Sequence, residues 1–187
     1  VVGLMTRVKS YLSVFGRYRY LLANLIRRDI SVKYRRSALG FLWSILNPIL
    51  MMLVITAVFS YLFEQMLGTI TNFPVYLLTG QLVFNFFSEA TNLGMESILM
   101  NSALVKKVYI PKYLFPLEKV LFSLVNALFS LFALVVVMLV TRAHITPWIL
   151  LFPIPLLLLF LFCLGISFIL SSLVIFFRDI KHLYGVV

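Results

Sequence analysis

Residues 37–63 read SALGFLWSILNPILMMLVITAVFSYLF, without a single Asp, Glu, Lys or Arg. A helix rising about 1.5 Å per residue needs about 20 apolar residues to cross a hydrocarbon core of about 30 Å, and this stretch is long enough. Two more uncharged windows follow, from Lys119 to Arg142 and from Arg142 to Arg178. The chain therefore reads as an all-α integral membrane protein. Its composition agrees. It is 63% hydrophobic and 12% charged, whereas a soluble domain carries about 25% charged residues and would not expose so much apolar surface to water. The net charge of +10 would suggest nucleic acid in a soluble protein. Here topology accounts for it, and no nucleic-acid partner is expected.

Working outward, residues 37–187 read as one transmembrane domain with spans at about 39–63, 73–97, 117–140 and 148–177. Pro48 should kink the first span, because it lacks the N–H of a helical residue. Pro153 and Pro155 should bend the first turns of the fourth, which opens at the interfacial residue Trp148. Residues 1–36 read as a cytoplasmic interfacial segment. Helical spacing puts Tyr11, Phe15, Tyr18, Leu22 and Leu25 on one stripe, and Arg17, Asn24, Arg28, Ser31 and Arg35 on another face. That pattern predicts a helix with its apolar side in the lipid and its basic side toward headgroups. With the N-terminus in the cytoplasm, 15 of the 16 Lys and Arg residues fall on the cytoplasmic side, as the positive-inside rule requires. The first apolar window starts too late and is too long for a cleavable signal peptide.

Several chemistries are absent from the pattern. There is no G-x-x-x-x-G-K-[ST] phosphate loop, no H-E-x-x-H and no G-x-S-x-G elbow. His144 and His182 fall on opposite sides of the membrane in this topology, and Cys163 lies alone in an apolar run, so no metal site is expected. The sharpest positive signal is on the second span, where Gln81, Asn85, Glu89, Asn92 and Glu96 recur at helical steps and form one polar stripe. Such a stripe should face protein or water rather than lipid. It marks either a pathway or hydrogen-bonded glue between helices, with Asn85 and Asn92 as the glue. Phe84, Phe86, Phe87, Phe41 and Trp43 are candidates to stack on sugar rings, or else ordinary core and lipid-facing aromatics. In the loop after the second span, Leu104, Val105, Val108 and Ile110 are too apolar for solvent. They suggest a short helix docked on a partner or on the membrane.

The run Arg27-Arg28-Asp29-Ile30-Ser31-Val32-Lys33-Tyr34-Arg35-Arg36-Ser37, then Leu39-Gly40-Phe41-Leu42-Trp43-Ser44 and Asn47-Pro48, resembles the N-terminal signature of polysaccharide-export ABC permeases. Lys107-Val108-Tyr109-Ile110-Pro111 and Phe177-Arg178-Asp179-Ile180 are similar to later segments of that family. The resemblance implies a homodimeric channel in the bacterial inner membrane. It would be paired with two copies of a separate nucleotide-binding subunit that holds the ATP and Mg, and would export a lipid-linked glycan such as O-antigen; this chain would bind no cofactor. It implies an ATPase-coupling role for Asn101, Leu104, Lys106, Lys107 and Tyr109, and for Arg178 and Asp179. Arg27, Arg28, Lys33, Arg35 and Arg36 would guard the cytoplasmic entrance and meet a carrier pyrophosphate, for which guanidinium geometry is suited. Gln81, Asn85, Glu89, Asn92, Glu96, Phe84 and Trp43 would line the channel. The family has six spans, two more than this sequence carries. Three other readings remain open: a permease for another lipid or a drug, an ATP-independent channel or carrier working through Glu89 and Glu96, and a non-transporting membrane scaffold.

Overall fold

The computed structural model describes residues 18–33, 40–62, 73–107, 109–140, 142 and 147–185. Among them the regular structure is helical throughout. Helix α1 covers residues 18–33. After a 3-10 turn at Gly40–Leu42 come α2 (Trp43–Leu62), α3 (Phe73–Met100), the short α4 (Ser102–Lys107) and α5 (Leu114–Val140). A second 3-10 turn, Pro147–Leu151, leads into α6 (Pro153–Phe176) and the short α7 (Ile180–Tyr184). Among the described residues, two helical stretches are long and apolar enough to cross a membrane, Leu114–Leu139 and Pro153–Phe176.

The prolines act at helix starts more than the sequence suggested. α5 begins at Leu114 rather than after Pro116, and α6 begins at Pro153 rather than at Trp148. A proline in the first turn removes an N–H that would have no partner anyway and presets the helical φ. Pro153 and Pro155 thus open α6 instead of bending it. Pro48 lies farther inside, and α2 continues through it.

α3 is the centre of the bundle and packs chiefly on α5 and α6, with α2 resting on α5 and, more lightly, on α3. α3 and α5 run antiparallel, and three apolar layers follow their length. Leu78 and Leu82 meet Leu134, Val137 and Met138 at one end. Phe86 and Ala90 meet Val120, Ala127 and Cys163 in the middle. At the far end Ile110, Leu114 and Phe115 enclose Leu22 of α1. The Tyr18–Leu22–Leu25 stripe therefore differs from its expected place in lipid. Leu22 and Leu25 are buried in protein, Leu22 against Ile110 of the loop between α4 and α5 and against Leu114 and Phe115 at the start of α5. The part of the arm before residue 18 lies outside the described residues.

Small residues let α3 approach α6. Ser167 donates to the Ala90 carbonyl at 3.2 Å, and a Cβ on Gly94 would collide with the Ser167 side chain. Ala90, Gly94 and Ser97 on one helix thus face Cys163, Ser167 and Ser171 on the other, the small-residue seam by which membrane helices gain close packing. Ser167 lies level with Ala90 and Gly94, so the parallel α6 ends nine residues later near Asn101. α7 then reverses, with Lys181 at Glu96 and Tyr184 donating to Thr91 Oγ1 at 2.7 Å, so the chain climbs back along α3.

Candidate functional site

A helix that buries amide and carboxylate groups must give them protein or water as partners. α3 does this along an open groove of about 870 Å³ walled by α2, α3 and α5, with Lys33 of α1 at one end. Gln81, Asn85, Glu89 and Asn92 of the sequence-derived stripe line it, and so does Trp43. Along α3 the lining runs from Gln81 to Leu93, about 18 Å at helical rise. Two expected members lie elsewhere. Glu96 is turned to Lys181, 2.5 Å away. Phe84 projects into a separate apolar cleft with Tyr76, Phe87 and Leu159, because its position on α3 points away from the amide face. Phe86 is core and Phe87 stacks on Phe162; the Phe41 side chain lies outside the described positions.

Glu89 organises the groove. Its Oε1 accepts from Lys33 Nζ at 3.0 Å and from Asn126 Nδ2 at 2.9 Å. The interhelical glue is therefore Glu89 with Asn126. Asn92 instead donates to the Ser88 carbonyl of its own helix at 2.8 Å. The opposite wall carries Asn126 and Ser130 of α5 and Asn47 of α2, none of which was singled out from sequence as a lining residue. Their signal was present. Lys119, Ser123, Asn126 and Ser130 recur at steps of four, three and four in an otherwise apolar span. Gln81 Oε1 and Asn126 Oδ1 are buried without a hydrogen-bond partner among the described residues, so the walls hold spare acceptor capacity for hydroxyls or water.

A second polar cluster lies at the end of α3. Lys119, nearly buried, pairs with Asp29 of α1 and stands 3.5 Å from Glu118. Asp29 also accepts from Arg28 Nε at 2.8 Å. Burial pushes the Asp29 carboxyl up, but the hydrogen bonds and charges of Lys119 and Arg28 outweigh it and hold the group below the ordinary carboxylate value. Arg28 Nη2 reaches Asn101 Oδ1 at 3.4 Å. Asn101 is the joint between α3 and α4. Its amide donates to the Ser97 carbonyl at 2.9 Å, and its own carbonyl accepts from Leu104 and Val105 at 2.9 and 3.0 Å.

The loop expected to dock a partner does contain a helix, α4, though a shorter one than residues 101–110. Leu104 and Val105 turn inward onto the Leu22 cluster, while Lys106, Lys107 and the 94%-exposed Tyr109 face out. Arg178 and Asp179 are exposed at the turn before α7. Arg27 is exposed as well, and Arg35 and Arg36 lie outside the described residues.

Known proteins resemble this chain along most of its length. The O-antigen export system permease protein RfbA of Myxococcus xanthus is 34% identical over 167 residues, 89% of this chain and 63% of the relative. The protein of the same name from Klebsiella pneumoniae is 30% identical over 167 residues, 87% of this chain and 62% of the relative. The polysialic acid transport protein KpsM of Escherichia coli is 34% identical over a shorter stretch of 80 residues, 43% of this chain and 31% of the relative. The chain thus spans less than two thirds of the length of these relatives. A hydrophobic helical bundle, a polar groove inside it and a match over residues 20–187 lead to one assignment: the chain is an integral membrane protein of the ABC-2 type transporter family.

Proposed function

We propose that this chain is the membrane-spanning permease subunit of an ATP-driven exporter that carries a lipid-linked polysaccharide across the bacterial inner membrane. In this reading α2, α3, α5 and α6 are its four spans and the N-terminus is cytoplasmic. Two copies close the channel, and a separate nucleotide-binding subunit supplies ATP hydrolysis. The observation that carries the proposal is the open, amide-rich groove around Glu89. A passing glycan needs many exchangeable hydroxyl partners, and Gln81, Asn85, Asn92, Asn126 and Asn47 line the groove at intervals. Most of these are neutral, so the wall offers hydrogen bonds without trapping an uncharged sugar chain. The names of the relatives point to the same class of cargo.

Two experiments test it. Purified from its native membrane in mild detergent, the full-length protein should bring a near-stoichiometric ATPase with it. Lys106→Glu combined with Lys107→Glu, on the exposed side of α4, should lower that recovery at least about fivefold by setting like charge against whatever acidic surface the lysines meet. Undiminished recovery removes α4 from the docking surface. Glu89→Ala should cut glycan export by about tenfold at normal membrane abundance, because Lys33 and Asn126 then lose their shared acceptor. Export at the parental rate would reduce the stripe to packing, and a protein that purifies without any ATPase would favour the carrier reading.

A further inference from the structure

Leu22, Leu25, Asp29 and Lys33 follow one another at steps of three, four and four on α1 and form the face it lays on the bundle. The upper part of that face is fixed. Leu22 is enclosed by Ile110, Leu114 and Phe115. Farther along, Asp29 binds Lys119, both partners being no more than 15% exposed, and Arg28 reaches Asn101. Lys33 is held differently. Lys33 lies over the Phe122 ring at 5.4 Å and pairs with Glu89, with side chains 41% and 29% exposed. Breaking a buried pair strands a charge, whereas an exposed pair exchanges readily with water and salt. Glu89 keeps one donor when Lys33 leaves, because Asn126 Nδ2 donates to the same oxygen.

We propose that α1 is a strap, anchored at Asp29 and Arg28 and releasable at Lys33, whose pairing with Glu89 closes the end of the groove nearest α1. Arg28 sits on the joint of α4 and Lys33 sits on the groove, so displacing α4 and freeing the groove mouth involve the same helix. The inference rests on the exporter reading only for the side from which the groove is approached. It goes beyond that reading in naming the closing contact.

Labelling of a cysteine at Asn85, deeper along the groove wall than Glu89, tests this without nucleotide or cargo. Cys163 is fully buried and serves as the silent background thiol. In inside-out membrane vesicles treated with an uncharged, impermeant maleimide, Lys33→Glu should speed labelling about fivefold or more, since attraction becomes repulsion. Lys33→Glu with Glu89→Lys should return it to within about twofold of the parent. An unchanged rate in the single variant, or a double variant as fast as the single, overturns the strap. Should Lys33→Glu fail to accumulate, the Asn85→Cys protein alone decides. Raising salt from roughly 0.1 M to about 1 M shortens the screening length from about 10 Å to about 3 Å and should accelerate labelling about twofold, and a flat response overturns the proposal. Because the readout needs neither ATPase nor export, the strap can fail while the exporter reading stands, and the reverse.

Discussion

Replacing Lys119 with methionine should lower stability by about 3–5 kcal/mol, the range for removing one partner of a buried ion pair. Methionine keeps much of the volume, so the loss isolates the charge. Without Lys119, Glu118 stays fully buried with neither oxygen hydrogen-bonded among the described residues, and Asp29 keeps only Arg28. Asp29 is then left with one exposed guanidinium as its charged partner among the described residues. Asp29→Asn should cost less, roughly 1–3 kcal/mol, because Lys119 retains Glu118. Thermal unfolding in detergent reads both, and a Lys119→Met loss under about 1 kcal/mol would place the cluster among ordinary surface pairs. The pH dependence follows from Asp29. Its folded pKa lies below the ordinary value of about 4, so its contribution is fully present above that value. It is lost as pH falls toward the lower folded pKa, and Asp29→Asn should flatten this acid limb.

Gly94→Ala should cost about 1–3 kcal/mol, the usual range for one methyl forced into a packed contact. The obstruction is the Cβ and Oγ of Ser167 on a neighbouring helix, so rotating a long side chain does not relieve it. The Ser167 Cβ is fixed by its backbone, so α3 and α6 must separate, which also stretches the Ser167 bond to the Ala90 carbonyl. Ser167→Gly removes both obstructing atoms. Alone it should destabilise by about 1 kcal/mol, since glycine weakens a helix. Combined with Gly94→Ala it should recover about 1 kcal/mol or more in a double-mutant cycle, as contacting sites do. Strict additivity would mean that the helix spacing adjusts without strain.

The helices were legible in the sequence because charge-free windows and turn residues are local signals. Two of the boundaries that moved, the starts of α5 and α6, lie at prolines. The third span is expected from sequence to start after Pro116 and the fourth to bend at Pro153, although a proline costs little in a first turn. The amide stripe on α3 was legible for the same reason of period, and four of its five members do share one groove. The partners of that stripe were not. Lys33 meets Glu89 across 56 residues and Asn126 meets it across 37, and no local period reports a distance of that kind. Lys119 counts in sequence as one of the cytoplasmic charges, which hides its place at the head of the Ser123–Asn126–Ser130 row. Asp29 stood inside a recognised signature without a role, because its role is a contact with α5. The seam of Gly94 and Ser167 leaves no trace in hydropathy, where small residues read as neutral.

Pro48 has no N–H to return to the Ser44 carbonyl one turn earlier, and it lines the groove between Trp43 and Met51. The hydrogen-bond ladder of α2 is therefore one donation short beside the stretch that walls the groove. Pro48→Ala should restore that donation and stiffen this wall without adding or removing any side-chain polar group.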